Sequence, residues 1–141
     1  MSLDYLLDTC VVSEFTKPKP ERKVLDWLNT LAPDQTYLSV VTLGEIQMGI
    51  SNLASSNRRT QLEQWLGTEL LAQFAGRVLP LDSETLLVWG KMTAQLKQQG
   101  KPMSVMDSLI AATALHHNLA LVTRNVSDFE QTNVSLFNPW D

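Results

Sequence analysis

The chain has 141 residues, 44% of them apolar and 18% charged, with a formal net charge of −4 and a single cysteine. That length suits one domain, 1–141, with a full core. The lone cysteine excludes an internal disulfide and points to a reducing compartment, and the acidic balance excludes a nucleic-acid binder that works by phosphate neutralisation alone, unless some of the acid surrounds bound cations that reverse the local sign.

Tyr5-Leu6-Leu7 predicts a short first strand ending at Asp8-Thr9. Residues 11–15 begin a helix that Pro18 and Pro20 interrupt. Val24, Leu25, Leu28 and Leu31 stand at helical spacing within 21–31, and Pro33-Asp34 is a break. Residues 36–40 favour a strand and 42–53 a helix. A long helical stretch, 57–75, carries Leu62, Trp65, Leu66, Leu70 and Leu71 on its apolar side and stops at Gly76. Val78-Leu79 is a brief strand. Asp82 or Ser83 caps a helix reaching about Gln99, which Gly100 and Pro102 stop. Another helix covers 104–117, a strong strand 119–123, a polar stretch 124–128, and a last short strand 134–136. Strands alternating with helices predict an α/β fold with a mainly parallel sheet, whose ligands sit beyond the carboxyl ends of the strands. The first residues carry no basic or long apolar leader, and no apolar run approaches the roughly 20 residues of a membrane helix, so a cytoplasmic protein is expected.

Four acids break the pattern. Asp8 directly follows an apolar strand, and taken alone reads as a helix N-cap. Glu45 lies in Thr42-Leu43-Gly44-Glu45-Ile46, where the spacing also fits a capping box with Thr42. Asp107 sits in a helix that is apolar almost all round, so a buried carboxylate in need of a partner is expected there. Asp128 follows the strand at 119–123, and singly reads as a turn or cap. The set says more than its members. Asp8, Thr123, Asn125 and Asp128 come just after strands, while Glu45 and Asp107 come near helix starts, and a parallel sheet gathers those ends on one edge. Carboxylates sharing a pocket either keep protons or are held together by a cation. Oxygen ligation suits Mg²⁺ or Mn²⁺, which can activate water and stabilise the leaving oxygen in phosphodiester cleavage.

Leu6-Leu7-Asp8-Thr9 and the segment Leu38-Ser39-Val40-Val41-Thr42-Leu43-Gly44-Glu45-Ile46 resemble the opening motifs of PIN domains. The similarity is greatest to toxins of VapBC-type toxin–antitoxin pairs and the FitB-like group. Gly100-Lys101-Pro102 leading to Asp107-Ser108-Leu109-Ile110-Ala111-Ala112 resembles the third motif, and Leu121-Val122-Thr123-Arg124-Asn125 with Asp128-Phe129 the fourth. Each motif is weak alone; four in order over nearly the whole chain are strong. The resemblance implies a PIN-like three-layer α/β/α sandwich and a Mg²⁺- or Mn²⁺-dependent endoribonuclease. In that reading Asp8, Glu45 and Asp107 match the acidic triad, with metal held chiefly by Asp8 and Asp107. Asp128 is preferred over Asn125 for the fourth acidic place, and Thr9, Thr123, Asn125 and Arg124 give polar support. Also implied are an RNA substrate, commonly tRNA, a homodimer or larger assembly, and a VapB-like antitoxin whose tail enters the acidic pocket.

Other residues read more plainly. Arg58-Arg59, Lys97 and Lys101 form a solvated face, and Arg124 is the cation best placed for an RNA phosphate. Trp27, Trp65 and Trp89 suit core or dimer packing, and Trp140 has no assigned role. His116 and His117 end a helix, where the dipole favours a cation over a zinc site. Cys10 reads as small core filler, and it stands where a haloacid-dehalogenase pattern would need a second Asp. No phosphate-binding glycine loop is present. The remaining rival is a catalytically silent PIN-like module that binds a partner protein.

Overall fold

The computed structural model describes residues 3–141; Met1 and Ser2, read above as part of a chain start without an export leader, lie outside them. Five strands form one parallel sheet in the order β3-β2-β1-β4-β5. These are β1 (Tyr5–Leu7), β2 (Thr36–Ser39), β3 (Val78–Leu79), β4 (Ala120–Val122) and β5 (Leu136–Phe137). Successive side chains on a strand face opposite ways, and both faces here are covered, which explains strands that are apolar throughout. Leu6 and Leu121 pack on one side with Met92, Leu96, Ile110 and Phe129. Leu7, Leu38 and Val122 pack on the other with Val11, Val24, Ile46, Leu70 and Phe74. The result is the expected three-layer α/β/α sandwich.

From β1 the chain runs through α1 (Thr9–Ser13) and α2 (Arg22–Leu28) to β2, then through α3 (Val40–Ser51), α4 (Asn57–Gln64) and α5 (Leu71–Gln73) to β3. It then reverses. α6 (Ser83–Gln98) and α7 (Val105–His116) carry it back to β4 on the far side of β1. The carboxyl ends of β1 and β4 therefore flank a topological switch point, where a crevice opens in sheets of this kind.

Three boundaries differ from the sequence reading. The strand expected through Val40 ends at Ser39, because the Ser39 hydroxyl accepts the Val41 N–H at 3.0 Å and starts α3 there. The stretch 57–75 is broken: Trp65–Leu70 is a widened π turn between α4 and α5, across which both Leu66 and Leu70 reach the core. The last strand lies later than 134–136, since Val134 is buried under the α6–α7 side while Leu136 and Phe137 pair with β4. Gly76 does end its helical stretch, at φ 77°. Among the described residues no helix is long and apolar enough to cross a membrane.

Candidate active site

Asp8 continues the β1 ladder by one residue, its N–H donating to the Val122 carbonyl at 2.9 Å. It is also the N-cap of α1: one carboxylate oxygen accepts the Thr9 N–H at 2.8 Å. The other oxygen accepts the Thr123 hydroxyl at 2.8 Å. Capping thus uses one oxygen of a side chain that is only 6% exposed, and the other is tied to Thr123 at the end of β4. Thr9 connects this strand end to α3, its hydroxyl donating to Glu45 at 2.6 Å and lying 3.5 Å from the buried Thr42 hydroxyl. The capping box of Thr42 with Glu45 does not form. Ser39 caps α3 instead, which leaves Glu45 in the second turn, half-buried, aimed at Thr9.

Asp107 enters from α7, in its first turn, and its N–H donates to the Ser104 cap at 3.3 Å. The expectation of an all-round buried helix fails at this end. Val105 is 61% and Met106 50% exposed, and Asp107 is half-buried, while the buried stripe of the helix begins at Ser108 and Ile110. Asp128 closes the short 3-10 turn Val126–Asp128 after β4 and is exposed. Asn125 is exposed beside it, its N–H donating to the Thr123 hydroxyl at 3.0 Å.

The electrostatics link these acids. Burial pushes the Asp8 carboxyl above its usual range; Thr123 and Thr9 pull it down, and the charge of Asp107 pushes it up again. Glu45 is raised by burial, with Thr9 opposing and the charges of Asp8 and Asp107 adding. Asp107 is raised by burial, with Ser104 opposing and the charge of Asp128 adding. None of these acids has a Lys or Arg within ion-pair distance among the described residues. Such a set lowers its energy by taking a cation.

Donors that are all oxygen fit a hard divalent ion, and Mg²⁺ needs only one or two carboxylates because it keeps several waters. Asp8, Glu45 and Asp107, which feel one another's charge, offer donors of that kind. A tighter grouping, Asp82, Glu84 and His116 with donor atoms within 4.8 Å of one another, lies elsewhere, where α6 starts and α7 ends. Its groups are already engaged: Glu84 pairs with His116 at 3.3 Å, and Asp82 caps α6 through Thr85 at 2.9 Å. A cavity of about 630 Å³ lined by Leu7, Phe15, Trp65, Phe74 and Arg77 contains none of the candidate acids.

Sequence reasoning missed two neighbours of the site. Cys10 is more than core filler: it is half-buried with Sγ 3.8 Å from Asp8 and 3.7 Å from Thr123, and burial holds its thiol above the usual range, which disfavours a nucleophilic thiolate. Thr42, whose spacing to Glu45 also fits a capping box, is the second, buried with its hydroxyl 3.5 Å from that of Thr9. Its signal is a Thr that lies one helical turn before an acid on a buried face.

The family model described as PIN domain matches residues 5–134. The chain is 36% identical to Toxin FitB of Neisseria gonorrhoeae over 96% of its own length and 97% of that protein's. It is 38% identical to the VapC ribonuclease Y4jK of Sinorhizobium fredii, again over 96% and 97%. Among solved structures it resembles FitAcB from Neisseria gonorrhoeae, with TM-score 0.91 and 36% identity over 96% of this chain and 98% of that one. It also resembles FitAB bound to an IR36 DNA fragment, at TM-score 0.91 and 34% identity over 97% and 96%. A fold whose switch point gathers unneutralised carboxylates, matched along almost its whole length by these relatives, places the chain in the PIN domain family.

Proposed function

We propose that this chain is a Mg²⁺- or Mn²⁺-dependent endoribonuclease and the toxin of a VapBC-type toxin–antitoxin pair, working in the cytoplasm as a homodimer. The observation that carries the nuclease reading is the group Asp8, Glu45 and Asp107, each raised by burial and then by a neighbouring acid (Asp107 for Asp8, Asp8 and Asp107 for Glu45, Asp128 for Asp107), with no Lys or Arg in ion-pair distance among the described residues. Relatives called VapC ribonucleases support RNA as the substrate class. Asp8 and Asp107 would hold the ion, and Asp128, whose charge reaches Asp107, fits the fourth acidic place better than Asn125, which turns its backbone to Thr123. When bound, the ion supplies an activated water and charge neutralisation for the leaving oxygen. Thr123 fixes the Asp8 carboxylate, and Thr9 fixes Glu45, which orients a water at the edge of the pocket.

The antitoxin reading rests on solved relatives that are toxin–antitoxin complexes, such as VapBC-1 of nontypeable Haemophilus influenzae, 26% identical with TM-score 0.77. An acidic pocket of this kind would accept a basic side chain from such a partner, which would occupy the place of the metal. The dimer reading rests on an apolar strip beside the site. Met48 is 60%, Met106 50% and Val40 36% exposed, and with Leu81 and Leu109 they line one apolar hollow that reaches Glu45.

The test is cleavage of total RNA by purified protein with Mn²⁺, repeated with EDTA and with a folded Asp107→Asn variant. Fragments that vanish with EDTA and in the variant are expected. Cleavage that survives EDTA, or an Asp107→Asn protein as active as the wild type, would overturn the assignment. An absence of cleavage at any metal concentration would leave a silent binding module as the better description.

A further inference from the structure

Arg124 directly follows Thr123, the residue that holds Asp8, and its backbone N–H points at Cys10 Sγ at 3.5 Å. It is an exposed cation at the end of β4, its backbone beside the group that Asp8, Cys10 and Thr123 form. The ordinary fate of such an arginine is an ion pair with a neighbouring carboxylate. Instead, among the described residues, its guanidinium makes no ion pair, and its centre lies 5.6 Å from the Trp140 ring centroid. Glu14 feels its charge, but that carboxylate is buried, and Lys17 and the Glu21 N–H, at 2.8 Å, occupy it.

Trp140 is held where it can do this. The Thr123 N–H donates to the Phe137 carbonyl at 3.0 Å, which fixes the chain end beside β4, and the Trp140 N–H donates to the Asn138 side chain at 2.9 Å. The indole is half-buried against the Leu7 side of the core, so its face is a fixed platform. A guanidinium resting on an aromatic face keeps its N–H edge free, and that planar edge matches a phosphate in two-point contact.

We propose that Trp140 is a positioning residue that holds Arg124 out of the acidic pocket, with its N–H edge presented to a backbone phosphate of RNA next to the scissile bond. The inference rests on the ribonuclease reading above. It gives an acidic protein one directed cation at the mouth of its site, and it assigns the chain-end tryptophan a task. Without the indole, Arg124 is drawn toward the carboxylates, where it competes with the metal and no longer meets the substrate.

The experiment uses a labelled oligonucleotide spanning the principal cut that the wild type makes in total RNA with Mn²⁺. Cleavage is measured against salt for the wild type, Arg124→Gln, Trp140→Leu, Trp140→Phe and the Arg124→Gln/Trp140→Leu double variant. Arg124→Gln should raise KM about tenfold and flatten the salt dependence by close to one ion pair. Trp140→Leu should reproduce much of that rise, with the loss in KM more than in kcat, and Trp140→Phe should recover most of it. The double variant should be no worse than Arg124→Gln, because Trp140 acts through Arg124. An unchanged salt slope in Arg124→Gln overturns the proposal, as does a further tenfold loss when Trp140→Leu is added to it. If Trp140→Leu does not fold, Trp140→Gln takes its place, and a folded non-aromatic variant at Trp140 that keeps the wild-type KM and salt slope overturns the positioning role. Wild-type protein that cuts no RNA would defeat the ribonuclease reading and this inference together, whereas normal cutting with a flat Arg124 response defeats this inference alone.

Discussion

Thr123 gives its hydroxyl to one oxygen of Asp8 while the Thr9 N–H takes the other, so this carboxylate has its orientation set before any ligand arrives. Groups that orient a metal ligand are commonly worth ten- to hundredfold in activity. Thr123→Val should therefore lower RNA cleavage about tenfold or more, and Thr123→Ser should keep most of it; equal rates for all three proteins in a Mn²⁺ time course would refute the role. Folding raises the Asp8 carboxyl, mainly by burial. Its contribution to stability is consequently full below its unfolded pKa and lost as pH rises through the folded one. Asp8→Asn cannot ionise and still caps a helix, so metal-free variant should be more stable than wild type near neutral pH, by about 1 kcal/mol or roughly 3 °C in Tm. That gap should close as pH falls toward the carboxylate range. Thermal scans across pH check it, and a variant less stable than wild type at neutral pH would contradict the electrostatic account.

At the scale of elements, Ser39 sets where β2 becomes α3, and so where Glu45 points. Ser39→Ala should cost about 1 kcal/mol in urea denaturation, and should reduce cleavage as Glu45 shifts against Thr9. A stability loss with unchanged activity would separate the cap from the site. This junction also marks the limit of what the sequence conveys. The strand Tyr5-Leu6-Leu7 with Asp8 at its end was readable, because apolar runs and their abrupt polar stops are local signals. The start of α3 was not, since Val40 and Val41 favour strands and only the serine bond to Val41 overrides them. Nor was the π turn at Trp65–Leu70, which tertiary packing of Leu66 and Leu70 selects. Asp107 reads as a candidate site acid from its helix, but the burial expected around it is not found, because apolar Val105 and Met106 lie on an outer surface and not in the core. Trp140 carried no signal at all: its role depends on a chain end laid beside β4 by a bond to Thr123.

The whole molecule is organised by a reversal of chain direction across one sheet, which brings Asp8 and Thr123, 115 residues apart, into a hydrogen bond, with Glu45 and Asp107 added from helices on either side. The apolar strip of Val40, Met48 and Met106 beside Glu45 is where a second copy is expected. Met106→Asp together with Met48→Asp should convert a dimer to monomer in sedimentation velocity; a wild type that already sediments as a monomer at micromolar concentration would end that part of the account. The central claim concerns where a divalent ion binds. A crystal soaked in Mn²⁺ and measured for anomalous scattering tests it directly. The account predicts a peak about 2.1 Å from carboxylate oxygens of Asp8 and Asp107; a peak at Asp82, Glu84 and His116 with none at Asp8 would contradict it.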